Sequence, residues 1–165
     1  MLRSTVEGEA HFLELAQPLT VDVSWSDSTL TDALGFAIVM GSEPAAPSGP
    51  RLRLQLVNGR FRCREGFASL RDSADRPVLP VLQAFAETSR FQVGAGRALL
   101  EQSGIGDPDA YRVAIEWLDS GGRYEGSPIF RRIDGAAERV EIDYAAAPQD
   151  LLHVADDADW DSEGG

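Results

Sequence analysis

Apolar and polar residues alternate along several short stretches of the chain, which is the pattern of half-buried β-strands. One further stretch, 123–133, is broken by Gly126 and Pro128. The predicted strands are 11–15, 19–25, 51–57, 60–64, 111–118, 123–133 and 139–144.

The two most regular stretches flank Asn58-Gly59, a pair that favours a type I′ turn. This predicts a β-hairpin over 51–64 in which Leu56 opposes Phe61 and Arg53 opposes Arg64. A second hairpin is predicted over 11–25. One face of the 51–64 hairpin is then apolar, with Leu52, Leu54, Leu56, Phe61 and Cys63. The other face carries Arg51, Arg53, Arg62 and Arg64.

Helical spacing of apolar residues follows each hairpin. Good N-capping side chains at 26–28 precede the first predicted helix, which ends at Gly41. Its apolar face is Leu30, Ala33, Leu34, Ala37 and Ile38. Further helices are predicted over 78–90 and 97–102. Because helices and strands do not alternate one for one, the predicted fold class is α+β rather than α/β.

Composition limits the partners that the chain can bind. Its 165 residues, 43% of them hydrophobic, suffice for one ordinary domain or two small ones. The 27 acidic residues outnumber 15 basic ones, all arginine, and the net charge of −12 disfavours nucleic acid and anionic membranes. The longest apolar run, 36–40, is too short to span a bilayer. The first residues carry no apolar signal-peptide core, which predicts a cytoplasmic protein.

Charge is distributed unevenly along the chain. Residues 51–76 carry seven arginines and three acids, whereas 150–165 carry six acids and no base. This acidic tail has few apolar residues and is predicted to be mobile, with Trp160 as a partner-contact residue. Arginines opposed across a hairpin repel one another. Their charge is compensated by the tail in cis, by a partner in trans, or by solvent, and the sequence leaves these alternatives open.

Candidate catalytic and metal-binding groups are few. His11 and His153 lie far apart in the sequence, without acidic or cysteine neighbours at ligand spacing. Cys63 lies on the apolar hairpin face and is predicted to be a buried structural thiol, while Trp25 and Trp117 are predicted core residues. The aspartates of the tail lack the glycine and the closing glutamate of a calcium loop. We therefore expect no enzyme activity, no catalytic residue, no metal and no cofactor.

A family resemblance covers residues 10–71. A strand–cap–helix sequence over 19–34, then Pro50-Arg51-Leu52, then the hairpin 51–64 and Phe67–Leu70 together resemble the ubiquitin-like, β-grasp proteins. The chain also ends in Gly164-Gly165. The resemblance implies β-grasp-like hairpin–helix–sheet units, with one domain over 1–74, a second α+β subdomain over 75–150 and a flexible acidic tail over 151–165. Two such units in tandem are similar to the two-domain ubiquitin-like modifiers of bacterial antiviral conjugation operons.

Two functions follow as hypotheses. The resemblance implies a protein modifier attached to targets through Gly164 and Gly165 by activating and conjugating enzymes and released by deconjugating enzymes. The absence of lysine would then prevent self-conjugation. The alternative is an acidic, non-enzymatic binding protein, such as an immunity protein, chaperone or adaptor, that covers a basic partner. The expected partner-binding residues are Arg51, Arg53, Arg62, Arg64 and Trp160.

Overall fold

A computed structural model describes residues 4–16, 19–44, 51–136, 138–143, 152–154 and 159–161. Within them, short strands follow one another in repeated groups of three. The elements in chain order are β1 (Thr5–Glu7), β2 (Leu13–Leu15), β3 (Val21–Ser26), β4 (Thr29–Ala33), β5 (Ala37–Met40), β6 (Leu52–Val57), β7 (Arg60–Cys63), β8 (Ala68–Arg71), β9 (Leu82–Glu87), β10 (Arg90–Gln92), β11 (Leu100–Ser103), α1 (Pro108–Val113), β12 (Ile115–Ser120), β13 (Arg123–Glu125), β14 (Ile129–Asp134), β15 (Arg139–Asp143), β16 (Leu152–Val154) and β17 (Asp159–Asp161).

The strands form three sheets that run side by side along the molecule. Sheet A has the order β1-β4-β7-β10-β13-β17, sheet B the order β15-β14-β11-β8-β5-β2, and sheet C the order β16-β12-β9-β6-β3. Among the strands that the structure describes, every pairing is parallel except that of β14 with β15. Each pass of the chain through sheets C, A and B is one coil of a β-solenoid. Successive coils repeat roughly every 30 residues, within the range of known solenoids.

This architecture shows that the predicted fold class and the β-grasp resemblance are both wrong. The structure is 55% strand and 4% helix, so hairpin–helix–sheet units are absent from the described residues. The strands on either side of residue 74 pair directly, for example Leu52 with Leu82. The β-grasp fold expected over 1–74 is therefore wrong. Strands β16 and β17 pair in sheets C and A, while the domain bounds at 74 and 150 and the flexible tail over 151–165 stay predictions.

The predicted helices and hairpins are also corrected. Residues 28–40 contain β4 and β5, 78–90 contain β9 and the start of β10, and β11 begins at Leu100 within 97–102. Strands β6 and β7 flank Asn58-Gly59 as predicted but belong to different sheets. They therefore do not pair, and Leu56 lies beside Ala86 rather than opposite Phe61. The only helix of the described part, α1, overlaps the start of the strand predicted over 111–118, and β12 occupies that stretch from Ile115 onward.

The apolar alternation nevertheless identifies the core correctly. The predicted apolar set, Leu52, Leu54, Leu56, Phe61 and Cys63, is buried, as are Trp25 and Trp117. Alternation fixes which side chains face inward, whichever strand lies alongside. The interior contains a column of rings in which Phe61 stacks on Phe91 at 5.2 Å and Phe91 on Tyr124 at 5.3 Å. Such offset ring pairs add to the stability that burial provides.

A left-handed residue makes each of the four described corners that lead from sheet C to sheet A. The residues that directly follow β3, β6, β9 and β12 all have positive φ, namely Asp27 (50°), Asn58 (51°), Thr88 (46°) and Gly121 (70°). The next position holds serine or glycine, and the following strand then begins in sheet A. The Asn58 side chain also donates to Asp27 Oδ1 at 2.7 Å, which links two corners. Asn58-Gly59 therefore turns the chain between sheets instead of reversing it.

Candidate binding face on sheet A

Three arginines form a row across the outer face of sheet A. Strand β10 pairs in parallel with β7 and with β13, and the register places Arg90 beside Arg60 on one side and Arg123 on the other. All three side chains are exposed. Neighbouring strands lie roughly 4.8 Å apart, so three positive charges follow one another at that spacing along the solenoid axis.

Two more arginines lie beside this row. Arg62 is exposed on β7, in register with Gln92, and exposed Arg64 directly follows β7. Together, Arg60, Arg62, Arg64, Arg90 and Arg123 are called the arginine face below.

Few acidic side chains neutralise the arginine face. Arg90 Nε lies 3.3 Å from Glu125 Oε1, and Arg64 lies 3.4 Å from Glu9, whose side chain is 83% exposed. Exposed ion pairs of this kind contribute less than about 1 kcal/mol. Among the described residues, no ion pair joins Arg60, Arg62 or Arg123 to an acid. Aligned like charges repel one another and lower stability, so an anionic ligand on the arginine face would be attracted electrostatically.

A groove of about 510 Å³ lies beside the arginine face, where sheet A ends and the chain turns toward sheet B. Arg62, Arg64 and Gln92 line it together with Gly94 and Gly126. A Cβ built at Gly94 would collide with the carbonyl oxygen of Arg64, and one at Gly126 with that of Val93. Glycine is required at both corners because the backbone of the preceding coil lies directly against them.

The groove offers no activated nucleophile. Cys63 contributes to its wall, but the residue is only 4% exposed, and burial raises the pKa of its thiol to about 12. A buried thiol with a raised pKa stays protonated and unreactive near neutral pH. The prediction of a buried structural thiol is confirmed.

Other ionisable groups are enclosed in the interior, where they bond to the fold itself. The Tyr111 hydroxyl donates to Asp72, and burial together with this hydrogen bond raises the pKa of Tyr111 to about 12. A second pair repeats the arrangement, with the Tyr124 hydroxyl donating to Asp119 and accepting from Trp117 Nε1 at 3.0 Å. Both pairs are buried, so they stabilise the coils rather than meet a ligand.

The structure separates the four arginines that the hairpin prediction placed on one face. Arg51 is 5% exposed and donates through Nε to the Leu19 carbonyl at 2.9 Å, and burial and Arg76 lower its pKa. Arg53 lies on sheet C, 3.5 Å from Asp22. Only Arg62 and Arg64 lie together, on the arginine face.

The remaining predicted site residues lie near or beyond the C-terminal end of the described chain. Trp160 takes the register position beside Tyr124 on β17. Gly164 and Gly165 lie outside the described residues.

The two histidines lie in different parts of the chain. His11 is half-buried, and His153 takes the register position beside Leu118. The described part of the chain contains no group of three or more metal-ligating side chains.

Sequence analysis missed Arg60, Arg90 and Arg123 as members of one site. The signal that identifies them is a three-residue corner motif. Its first residue has positive φ, its second is serine or glycine, and its third begins a strand of sheet A. It recurs as Asp27-Ser28-Thr29, Asn58-Gly59-Arg60, Thr88-Ser89-Arg90 and Gly121-Gly122-Arg123. An aromatic residue follows each of the three arginines.

Comparison with known proteins supplies no family. No protein-family model matches the chain, no curated protein matches it, and neither does any solved structure. In the described residues, no helix has the length and apolar character needed to cross a membrane.

Proposed function

We propose that this protein is a non-catalytic binding module that docks an acidic polypeptide segment on the arginine face. The observation that carries the proposal is the in-register row of Arg60, Arg90 and Arg123. A flat, exposed sheet surface with aligned guanidinium groups suits carboxylates, which accept two parallel hydrogen bonds from each guanidinium.

The net charge of −12 favours a short ligand over a long polyanion. At physiological ionic strength, charges interact over about 8 Å, so a ligand confined to the arginine face meets mainly its positive charges. A long polyanion extends past this face onto the acidic remainder of the surface and is repelled there. A short acidic segment of a protein partner therefore fits better than a nucleic acid.

Titration of fluorescently labelled hexaglutamate into the full chain tests this function by anisotropy. We expect binding that weakens as salt is raised, and that weakens further in Arg90→Gln by several-fold, in line with a charge-assisted hydrogen bond of about 1 kcal/mol. Arg53→Gln, on sheet C, is the control and should bind like the wild type. Binding that is indifferent to salt, or equal loss in both variants, would contradict the proposal.

The acidic surface supports a second candidate, the binding protein that covers a basic partner. Its support is the net charge of −12 and the six acidic residues without a base in 150–165. Such binding should be salt-sensitive, unaffected by Arg90→Gln and weakened by neutralising Asp156 and Asp157. Labelled hexaarginine, titrated under the same conditions, distinguishes the two functions.

The modifier hypothesis loses its structural basis with the β-grasp fold. Conjugation through Gly165 remains an untested prediction, as does the cytoplasmic location. We do not carry the ubiquitin-like assignment further.

A further inference from the structure

The acidic C-terminal segment forms the last strand of the sheet that bears the arginine face. Strand β17 pairs in parallel with β13, with Asp159 beside Arg123, Trp160 beside Tyr124 and Asp161 beside Glu125. In register terms, the arginine row ends at an aspartate position. The interior ring column of Phe61, Phe91 and Tyr124 likewise ends at a tryptophan position.

The edge of β13 that β17 covers is a natural site for strand addition. Without β17, β13 would be the edge of sheet A, and an edge strand presents unpaired N–H and C=O groups to any extended segment. Sheet B ends differently, with β15 added antiparallel to β14. The strand that covers β13 is parallel, and Arg123 at this edge favours an acidic residue beside it.

We propose that the edge of β13 is a docking site for an extended acidic segment with a central aromatic residue, and that β17 is its resident occupant. A protein partner carrying the same acidic–aromatic–acidic pattern displaces β17 and takes its place. This inference rests on the proposed function, since it names the partner segment that the arginine face recognises.

Strand addition explains how such a short motif can be recognised. Main-chain hydrogen bonds to β13 provide affinity, while alternate positions of the added strand provide specificity. The aromatic position is in register with Tyr124, whose ring stacks on Phe91 at an interplanar angle of 11°. The first acidic position lies beside Arg123 and the second beside Glu125, so the charge preference applies to the first position.

Competition with β17 sets the apparent affinity for the partner. A tethered strand acts at an effective concentration in the millimolar range for short linkers, so an untethered peptide must overcome it. Substitutions that weaken the pairing of β17 with β13 must therefore strengthen binding of the external peptide. An unrelated acidic peptide should not gain in this way.

The test uses the full chain and a labelled peptide with the sequence of residues 155–163. We compare the wild type with a variant that combines Asp159→Asn, Trp160→Ala and Asp161→Asn. The variant should bind the peptide at least about tenfold more tightly, because the tethered competitor is weakened. A peptide of the same composition in scrambled order should show no such gain.

A matched control changes the same residue classes on sheet C. Asp22→Asn, Phe85→Ala and Glu116→Gln remove two charges and one exposed ring from a different sheet than that of β13, and should leave peptide affinity at the wild-type value. Equal affinity of wild type and tail variant, or equal binding of the scrambled peptide, overturns the inference. A wild-type dimer in sedimentation that dissociates when the peptide is added also overturns it, in favour of strand exchange between two copies.

Amide hydrogen exchange provides a second readout that does not depend on peptide binding. The Arg123 amide donates to the Ser89 carbonyl and the Glu125 carbonyl accepts from Val93, both on the β10 side, so the Tyr124 amide is the one that faces β17. The Tyr124 amide should be protected in the wild type, lose protection in the tail variant and regain it when the peptide is added. Unchanged protection in the tail variant contradicts the inference. If hexaglutamate binding still depends on Arg90 in that case, the proposed function stands while strand docking at β13 fails.

Discussion

Arg131 Nε donates a hydrogen bond to Gln102 Oε1 at 2.6 Å inside the solenoid. The other guanidinium nitrogens donate to the carbonyl oxygens of Arg112 and Tyr111, at the C-terminal end of α1. Gln102 Nε2 also donates to the Tyr111 carbonyl, at 2.9 Å. Arg131 is 1% exposed, so one buried cation attaches the only helix of the described residues to sheet B.

Replacing Arg131 with methionine should therefore destabilise the protein by about 3 kcal/mol, since it leaves buried acceptors without donors. Urea unfolding followed by circular dichroism measures the change. Arg132→Met is the control, because Arg132 is only half-buried and its ion pairs with Glu101 and Glu141 lie near the surface. Similar losses in both variants would argue against the special role of Arg131.

Gly94 should tolerate no side chain. In Gly94→Ala, the new Cβ meets the carbonyl oxygen of Arg64, and such overpacking costs about 1–3 kcal/mol. Gly8→Ala is the matched control, because a Cβ there has no neighbour within 4 Å. Thermal unfolding should show a lower midpoint for the first variant only. An unchanged midpoint in Gly94→Ala would mean that successive coils are not packed as closely as described.

Thr88 occupies a corner for which its side chain is poorly suited. Its φ of 46° is left-handed, a conformation that costs β-branched residues roughly 1–2 kcal/mol and asparagine less. Thr88→Asn, which copies the equivalent Asn58, should therefore stabilise the protein by about 0.5–1 kcal/mol. The same substitution at Thr29, inside β4, should destabilise it, since asparagine is unfavourable in strands. Chemical denaturation of the two variants measures the sign of each change in the free energy of unfolding, and two changes of the same sign would contradict this expectation.

Alkaline conditions should unfold the protein partly through Cys63. Burial raises the pKa of this thiol from 9.0 to about 12, so above pH 9 the unfolded chain releases a proton that the folded chain keeps. The unfolded state then binds fewer protons, and stability falls with rising pH by up to about 1.4 kcal/mol per unit. Cys63→Ala should flatten the decline between pH 9 and 10, where Tyr111 contributes little. Identical slopes for the two proteins in urea unfolding would contradict the burial of the thiol.

The inward-facing residues could be predicted from the sequence, but their partners could not. Alternation sets which side of a strand is buried, and this is why Leu54, Phe61 and Cys63 are correct. It does not set whether the next strand returns beside the first or turns into another sheet. The corner at Asn58 has positive φ at one residue, whereas a two-residue hairpin turn has it at both, and this difference alone distinguishes the two.

The false helix over 28–40 has a local cause. Strand β4 has an irregularity between Leu30 and Ala33, where Asp32 adopts a φ of 56°. The buried residues Leu30 and Ala33 are therefore three positions apart, and the corner that follows places buried Ala37 four positions further on. Strand, irregularity and corner together imitate the i, i+3, i+7 pattern of a helix.

The arginine face lay beyond prediction for a different reason. Arg60, Arg90 and Arg123 are roughly 30 residues apart, and only the register between coils brings them together. The coils differ in length and share no obvious consensus outside the corner motif. Arg62 and Arg64 were found because both lie in or next to one strand.

Affinity for hexaglutamate in two variants of equal net charge tests the central claim most directly. One variant replaces Arg60, Arg90 and Arg123 with glutamine, and the other replaces Arg53, Arg71 and Arg139, which are exposed on sheets B and C. We expect the first to lose at least about tenfold in affinity, as one or more charge-assisted hydrogen bonds are removed, and the second to stay within about twofold of the wild type. Equal losses in the two variants would show that binding follows overall charge, and that the arginine row is not a site.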